Sequence, residues 1–191
     1  MNSFYDEEEL KLLGLKKYGS DVKISRKASI YDAEQISIGS HVRIDDFCIL
    51  SGQIVLGSYI HIAAYSALYA GDAGIEVADF SNISSKVVIY AVSDDYTGET
   101  MTNPMVPDEF KNVQKEKVTI AKHVIIGSGC TVLPGVELKE GSAFGSMSLI
   151  KESSEEWSIN AGIPSREIKK RERGLLRMEE KLIQRKTIRG G

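Results

Sequence analysis

IGSHVRIDDFCILSGQIVLGSYIHIAAYSAL, residues 38–68, carries an apolar side chain at every sixth position: Ile38, Ile44, Leu50, Leu56, Ile62 and Leu68. A second run repeats the pattern at Ile120, Ile126, Val132, Leu138, Phe144 and Ile150. Two shorter runs are out of phase with the first. Val77, Ile83 and Ile89 are offset by three residues, and Ile24, Ile30 and Ile36 by two. Gly, Ala or Ser often follows the apolar residue, as in IGSHVR, LGSYIH, IGSGCT and FGSMSL. A helix of about 3.6 residues per turn cannot hold a six-residue period on one stripe. A triangular coil can. Three short strands and three corners make a coil of roughly 18 residues, with large side chains inside and small ones at the corners. Coils stacked at about 4.8 Å pair their backbones, and each buries an apolar face that it cannot bury alone. The sequence therefore predicts an all-β fold, a parallel β-helix of hexapeptide repeats. The two phase offsets predict bulged corners.

The 191 residues hold 24 Lys plus Arg against 27 Asp plus Glu, a formal charge of -3. That leaves no excess of basic residues for nucleic acid as a partner. Cys48 and Cys130 lie inside apolar repeats with no metal-ligand spacing, so they read as buried free thiols of a reducing compartment. No metal site is expected. No apolar run approaches the ~18 residues of a membrane helix, and MNSFYDEEEL has no apolar signal core. The expectation is a soluble, cytoplasmic protein with no membrane partner.

The period breaks between Val92 and Lys117, where SDDYTGETMTNPMVPDEFKNVQKEK is polar and holds two prolines. Long loops in compact folds are often functional. Asp6 to Leu13 reads as a short helix, with Ser3 as its cap and Gly14 as its stop, closing the open end of the coil. Ser165 to about Lys186 reads as a charged amphipathic helix through Ile168, Leu175, Leu176, Leu182 and Ile183. TIRGG at the end should fray. The division expected is a helical cap over 1–21, the β-helix over 22–165 with a loop inserted at 92–117, and a C-terminal helix and tail over 166–191.

The hexapeptides, the long loop and INAGIPSREIKKR together resemble the left-handed β-helix acyltransferases over roughly residues 22–170. That family includes galactoside and maltose O-acetyltransferases and N-acyltransferases of nucleotide-linked amino sugars. FYDEEELKLLGL and DFSNISSKVVIYAVSDDYTG are similar to the dTDP-anthrose type of N-acyltransferase, which acts on dTDP-4-amino-4,6-dideoxyglucose. The resemblance implies left-handed coils, a homotrimer with active sites between subunits, and acyl-CoA (acetyl-CoA by default) lying in a groove parallel to the coil axis. Carried over, it places Ser128, Ser146 and Ala161 at successive levels of that groove. Pro164 falls against the adenine, and Arg166, Lys169 and Lys170 at the phosphates. Ser128, Ser146 and Ala161 are equally the small corner residues that the fold demands, and the basic residues equally a solvated face.

Many O-acetyltransferases of this family place a histidine just after the break, in a segment like IYTAGHP. This chain has IYAVSDD, with Asp94 at that position. Its three histidines, His41, His61 and His123, are all expected at hexapeptide corners away from the loop. A sugar hydroxyl profits from a base near neutral pKa, which histidine supplies at about 6.5. An amine titrating near ~8 is about a tenth neutral at pH 7 and needs chiefly to be oriented. The expected reaction is thus N-acylation of a nucleotide-linked amino-deoxysugar for surface polysaccharide. Asp94 would bind the attacking nitrogen, Glu99 would assist, and Ser84, Tyr90 and Tyr65 would contact the acceptor. Asp94 is equally placed to cap its own loop. O-acetylation with His61 or Asp94 as base, and a β-helix that only binds, are the competing readings.

Overall fold

The computed structural model describes residues 3–189. Parallel pairing joins each strand to its counterpart one coil on. The first face stacks Val22–Ile24, Val42–Ile44, Ile60–Ile62, Asn82–Ile83, Ile125–Ile126, Ala143–Phe144 and Ser158–Gly162. The second runs from Ser29–Tyr31 through Val88–Tyr90 and Thr131–Val132 to Leu149–Ile150. The third runs from Lys17–Tyr18 through Ile36–Ile38 and Val118–Ile120 to Glu137–Leu138. Strands Ile49–Leu56 and Ala67–Val77 turn a corner and serve both the second and the third face.

The six-residue runs point inward, as their spacing requires. Every member of the two long runs is buried, and one apolar cluster extends from Leu10 to Ile150. Ile30, in the early run, is only partly buried against that cluster. Both phase offsets have a local cause. Between Ile30 and Ile36 the chain takes a 3-10 turn at Ala33–Gln35, which absorbs two extra residues. Between Leu68 and Val77 the register against the previous coil slips around Gly71, where Ser51 pairs Tyr69, Gly52 pairs Gly71 and Ile54 pairs Ile75. The three extra residues are thus a bulge within a strand.

Many of the corners use the left-handed backbone region with bulky residues. His41, Phe47, Tyr59, Tyr65, Phe80, Lys86, His123, Met147 and Trp157 all have φ between 51° and 64°. Such a conformation costs a residue with a Cβ about 1–2 kcal/mol. Ring stacking offsets much of that, at about 0.5–1.5 kcal/mol per pair. One column stacks His41, Tyr59, Phe80 and His123 at 4.7–5.3 Å, and Trp157 closes it. Gly141 sits under the Trp157 ring, where a Cβ would come within 2.4 Å of it.

The ends differ in part from the sequence expectation. Helix α1 spans Glu7–Leu12, and its cap is Asp6 rather than Ser3: Asp6 Oδ1 accepts from Glu9 N while Glu9 Oε2 accepts from Asp6 N. This reciprocal pair satisfies two orphan donors, which a serine three residues further out cannot reach. Leu10 enters the core, so α1 does close the coil end. The helix expected from Ser165 is corrected. Ser165–Lys170 is a strand, antiparallel to Ser158–Gly162, and α2 spans Leu175–Arg189. The hairpin pairs the backbone groups that the last coil would otherwise leave open at its edge. Helix α2 is tied down near its start by Glu179, which meets both Lys122 and the buried His123 Nε2, the latter at 2.7 Å. Of the expected TIRGG tail, Thr187–Arg189 belong to α2, and Gly190 and Gly191 lie outside the described residues.

Candidate active site

Three corners per coil make three long edges of the prism. Edge I joins the first and second faces. Its corners after Ile62, Ile83, Ile126, Phe144 and Asn160 stack by register. Edge II joins the second and third faces, and the long loop leaves from it. Edge III carries the ring column.

Edge I holds Ser84, Ser128, Ser146, Ala161 and Tyr65. Ser84 continues Ile83, and its N–H donates to Ile126 O at 3.0 Å. Ser128 and Ser146 occupy one column: Met147 N donates to Ser128 O at 2.9 Å, and Ser128 Oγ lies 3.3 Å from Ser85 Oγ. Ala161 belongs to the neighbouring column. It follows Gly127 and Gly145, and a Cβ on Gly145 would lie 3.0 Å from that of Ala161. Ser128, Ser146 and Ala161 lie on successive coils of edge I, with Ala161 one position aside. Glycine is required at Gly127, because a Cβ there would meet Ser146 N at 2.6 Å and Phe144 O at 2.7 Å. The result is a shallow wall of small side chains and backbone groups. The hairpin ends it: Pro164 lies in the exposed turn, and Arg166, Lys169 and Lys170 are exposed on its outer strand. Arg166 Nη1 pairs with Glu152 at 3.1 Å and Lys170 with Glu167 at 2.8 Å, while Lys169 has no ion pair among the described residues.

Edge II carries the other half of the predicted set. The loop is pinned at its base by an antiparallel pair, Val92–Ser93 with Gln114–Lys115. Tyr90 ends the preceding strand, half-buried and stacked on Tyr69 at 5.3 Å. Burial pushes its hydroxyl pKa up, helped by Tyr69 and Tyr96. The two adjacent aspartates separate cleanly. Asp95 caps the turn: Oδ1 accepts from Thr97 N at 2.7 Å, and Oδ2 from Thr100 N at 3.0 Å and Thr100 Oγ1 at 2.8 Å. Those bonds, first to Thr97 and then to Thr100, hold its carboxyl at about 2. The capping role open to Asp94 on sequence therefore belongs to Asp95. Asp94 is half-buried; its carbonyl accepts from Ser93 Oγ, and its carboxylate has no hydrogen bond or ion pair among the described residues. Glu99 is exposed further out, its N–H donating to Thr97 Oγ1.

Within one chain these two halves do not meet. Ser84 lies on edge I and Asp94 on edge II, with strand Val88–Tyr90 crossing the face between them, about 10 Å of extended chain. A cleft of about 670 Å³ beside α1, lined by Phe4, Leu10, Tyr18 and Arg43 among others, contains none of the predicted residues.

His61 lies within strand Ile60–Ile62 and not at a corner, and sequence reading missed its partner. His61 Nε2 lies 2.8 Å from Asp45 Oδ2, and Asp45 Oδ1 accepts from Arg43 Nε at 2.6 Å. Burial raises Asp45, but the bonds from His61 and Arg43 outweigh it and hold the carboxyl below its usual range. Coil arithmetic could have found the trio, since Arg43 and His61 are in register one coil apart. His41 bonds Asp21 at 2.9 Å, and His123 is committed to Glu179. Both cysteines are buried, and burial pushes each thiol up, which leaves them poor nucleophiles. Among the described residues no helix is long and apolar enough to cross a membrane.

A hexapeptide prism with small side chains along one edge, a long loop on another and a basic hairpin at its end defines a left-handed β-helix of the acyltransferase kind. No family model matches the chain. It is 47% identical over 180 residues to dTDP-4-amino-4,6-dideoxy-D-glucose acyltransferase of Escherichia coli, covering 93% of each chain. It is 50% identical, with a TM-score of 0.96, to AntD, an N-acyltransferase from Bacillus cereus solved with dTDP and 3-hydroxybutyryl-CoA, covering 98% of this chain and 100% of that one. AntD has also been solved with dTDP-4-amino-4,6-dideoxyglucose and coenzyme A, in variants with one serine replaced, and with dTDP and coenzyme A, in variants with one aspartate replaced. Galactoside acetyltransferase in complex with coenzyme A shares the fold at 15% identity and a TM-score of 0.56, over 86% of this chain and 70% of that one. The chain belongs to the family of dTDP-4-amino-4,6-dideoxyglucose acyltransferases.

Proposed function

We propose that the chain transfers a short acyl group from acyl-CoA to the sugar amine of dTDP-4-amino-4,6-dideoxyglucose, in sites shared between subunits of a cytoplasmic homotrimer. The observation that carries this reading is Asp94. Its carboxylate is unpaired among the described residues, because Asp95 has taken over the capping bonds. It stands where histidine-dependent relatives need a base, and a carboxylate suits an amine acceptor. Two further findings support it: the E. coli relative's acceptor, and the serine and aspartate replaced in AntD, which are the residue types singled out here at Ser84 and Asp94. A trimer is supported by the division of the predicted residues between two edges. It is supported too by exposed apolar side chains on the loop (Tyr96, Met101, Met105, Phe110) and on edge I (Phe47, Tyr65, Met147). Buried free thiols suit the cytoplasm. The AntD complex favours 3-hydroxybutyryl over acetyl as the acyl group.

In this reading pantetheine lies along Ser128, Ser146 and Ala161, with Pro164 against the adenine and the phosphates at Arg166, Lys169 and Lys170. The sugar lies by Ser84, Tyr65 and the partner copy's Tyr90 and Glu99. Asp94 of the neighbouring subunit accepts a hydrogen bond from the amine and aims its lone pair at the thioester carbonyl. The nitrogen–carbon bond forms, and a backbone N–H of edge I stabilises the oxyanion. The carbon–sulfur bond then breaks, and the leaving thiolate takes the ammonium proton, giving the amide and CoA thiol. Holding two substrates in attack geometry supplies much of the rate.

O-acetylation remains as a second reading because of the His61–Asp45 pair, a base with its orienting carboxylate. CoA thiol release with the 4-amino and the 4-hydroxy dTDP-sugars separates the two. Release with the amine alone is expected, and Asp94→Asn should lower kcat on the order of 100-fold with the oligomer intact. Release with the hydroxyl sugar, or an unaltered kcat, would overturn the assignment.

A further inference from the structure

We propose that Lys86 recognises the diphosphate of the acceptor, and so makes the enzyme select a nucleotide-linked amino sugar over the free sugar. This rests on the amino-sugar reading above.

Lys86 turns the edge I corner immediately after Ser84 and Ser85, at φ 60°. Its N–H is spent on Ala64 O at 3.1 Å. Its side chain is exposed and has no hydrogen bond or ion pair among the described residues. That sets it apart from its counterparts. The bulky left-handed corners of edge III repay their conformation by stacking. On edge I Phe47 stacks on Tyr65 at 4.9 Å, and the Met147 side chain covers Gly129, where a Cβ would meet its Sδ at 2.4 Å. Glycine, asparagine or aspartate adopts this backbone more readily than lysine. A long cation is thus held in an unfavourable conformation, with no structural return, in the same corner as Ser84.

Its neighbours along edge I suit a nucleotide. One coil toward the N-terminus, about 4.8 Å away, stands Tyr65, 57% exposed. One coil the other way the corner is Gly129, which carries no side chain of its own and is covered by Met147 from the next coil. A cation beside an exposed ring matches a pyrimidine diphosphate, with charge-assisted bonds to the phosphates and a ring for the base. The phosphates of CoA belong to the far end of the edge. Ser158–Gly162 lies three coils from Asn82–Ile83 and the hairpin strand pairs one strand further out, so its basic residues lie about 19 Å from the Lys86 level. Lys86 is left for the second anion, which in the acceptor is separated from the amine by one sugar ring.

The test uses Lys86→Gln and Lys86→Arg in the full chain. Titration with dTDP should show affinity reduced about tenfold or more in Lys86→Gln and largely restored in Lys86→Arg, while CoA titration separates this from damage to the donor groove. In turnover the loss should fall on KM for the dTDP-sugar rather than on kcat. The preference in kcat/KM for the dTDP-sugar over the free 4-amino-4,6-dideoxyglucose should collapse by the same factor. Wild-type dTDP affinity in Lys86→Gln, or an equal loss on the free sugar, would overturn the proposal. A wild-type chain that binds dTDP but does not acylate the amine would overturn the reaction reading instead, and the dTDP titrations would still decide the role of Lys86.

Discussion

Asp94 and Asp95 are chemically identical and adjacent, and the structure gives them different surroundings. Asp95 is bound by Thr97 and Thr100 and sits at about 2, below the ~3.9 of a free aspartate. Its depressed pKa means that the turn it caps is fully supported above about pH 4 and loses that support as pH falls toward 2. Titrating the carboxyl carbon by NMR should give a midpoint near 2; a midpoint at the ordinary aspartate value would show that the bonds are not held in solution. Asp94 carries no such bonds among the described residues, as the proposed role requires. From sequence the pair SDDYTG marks a turn without saying which aspartate closes it, because an Asx turn depends on which carboxylate faces the following N–H groups. The same limit hid Asp45 behind His61. Sixteen residues separate them along the chain, and only the coil brings their side chains together.

At the scale of the element, the inward residues were legible because a six-residue period has few physical solutions. Each hexapeptide predicted one buried side chain, and Ile44, Leu50, Ile126 and Val132 are fully buried. Less legible were segments whose partner lies outside the repeat. Ser165–Lys170 has helix-compatible residues and becomes a strand because the last coil offers it an open edge. The phase slips predicted bulges, yet one proved to be a 3-10 turn and the other an in-strand bulge, since insertion length alone does not choose between them. The small-residue wall of edge I is sensitive to side-chain size. Gly127→Ala sets a Cβ against backbone atoms of the next coil. It should destabilise by about 1–3 kcal/mol, visible as a lowered Tm. An unaltered Tm would mean that adjacent coils can separate there, and that the wall is looser than its packing implies.

At the scale of the whole molecule, the feature with most consequence is that the predicted site is divided. Ser84, Lys86 and the small-residue wall are on edge I; Tyr90, Asp94 and Glu99 leave from edge II. In the homotrimer proposed above, edge I of one chain would lie against edge II of the next, the arrangement that the resemblance to trimeric acyltransferases implies. One chain could not show it by composition or periodicity, because neither reports which edge faces a neighbour. The direct test is complementation. Chains carrying Asp94→Asn and chains carrying Ser84→Tyr, which fills edge I in the corner that also carries Lys86, should each form nearly inactive oligomers. When the two are co-expressed and assembled at equal amounts, about a quarter of the interfaces in a randomly mixed ring receive an intact edge from each side. The mixture should therefore recover about a quarter of the wild-type rate of CoA thiol release with the amino sugar. Mixed oligomers that form but stay inactive would contradict a site built from two chains.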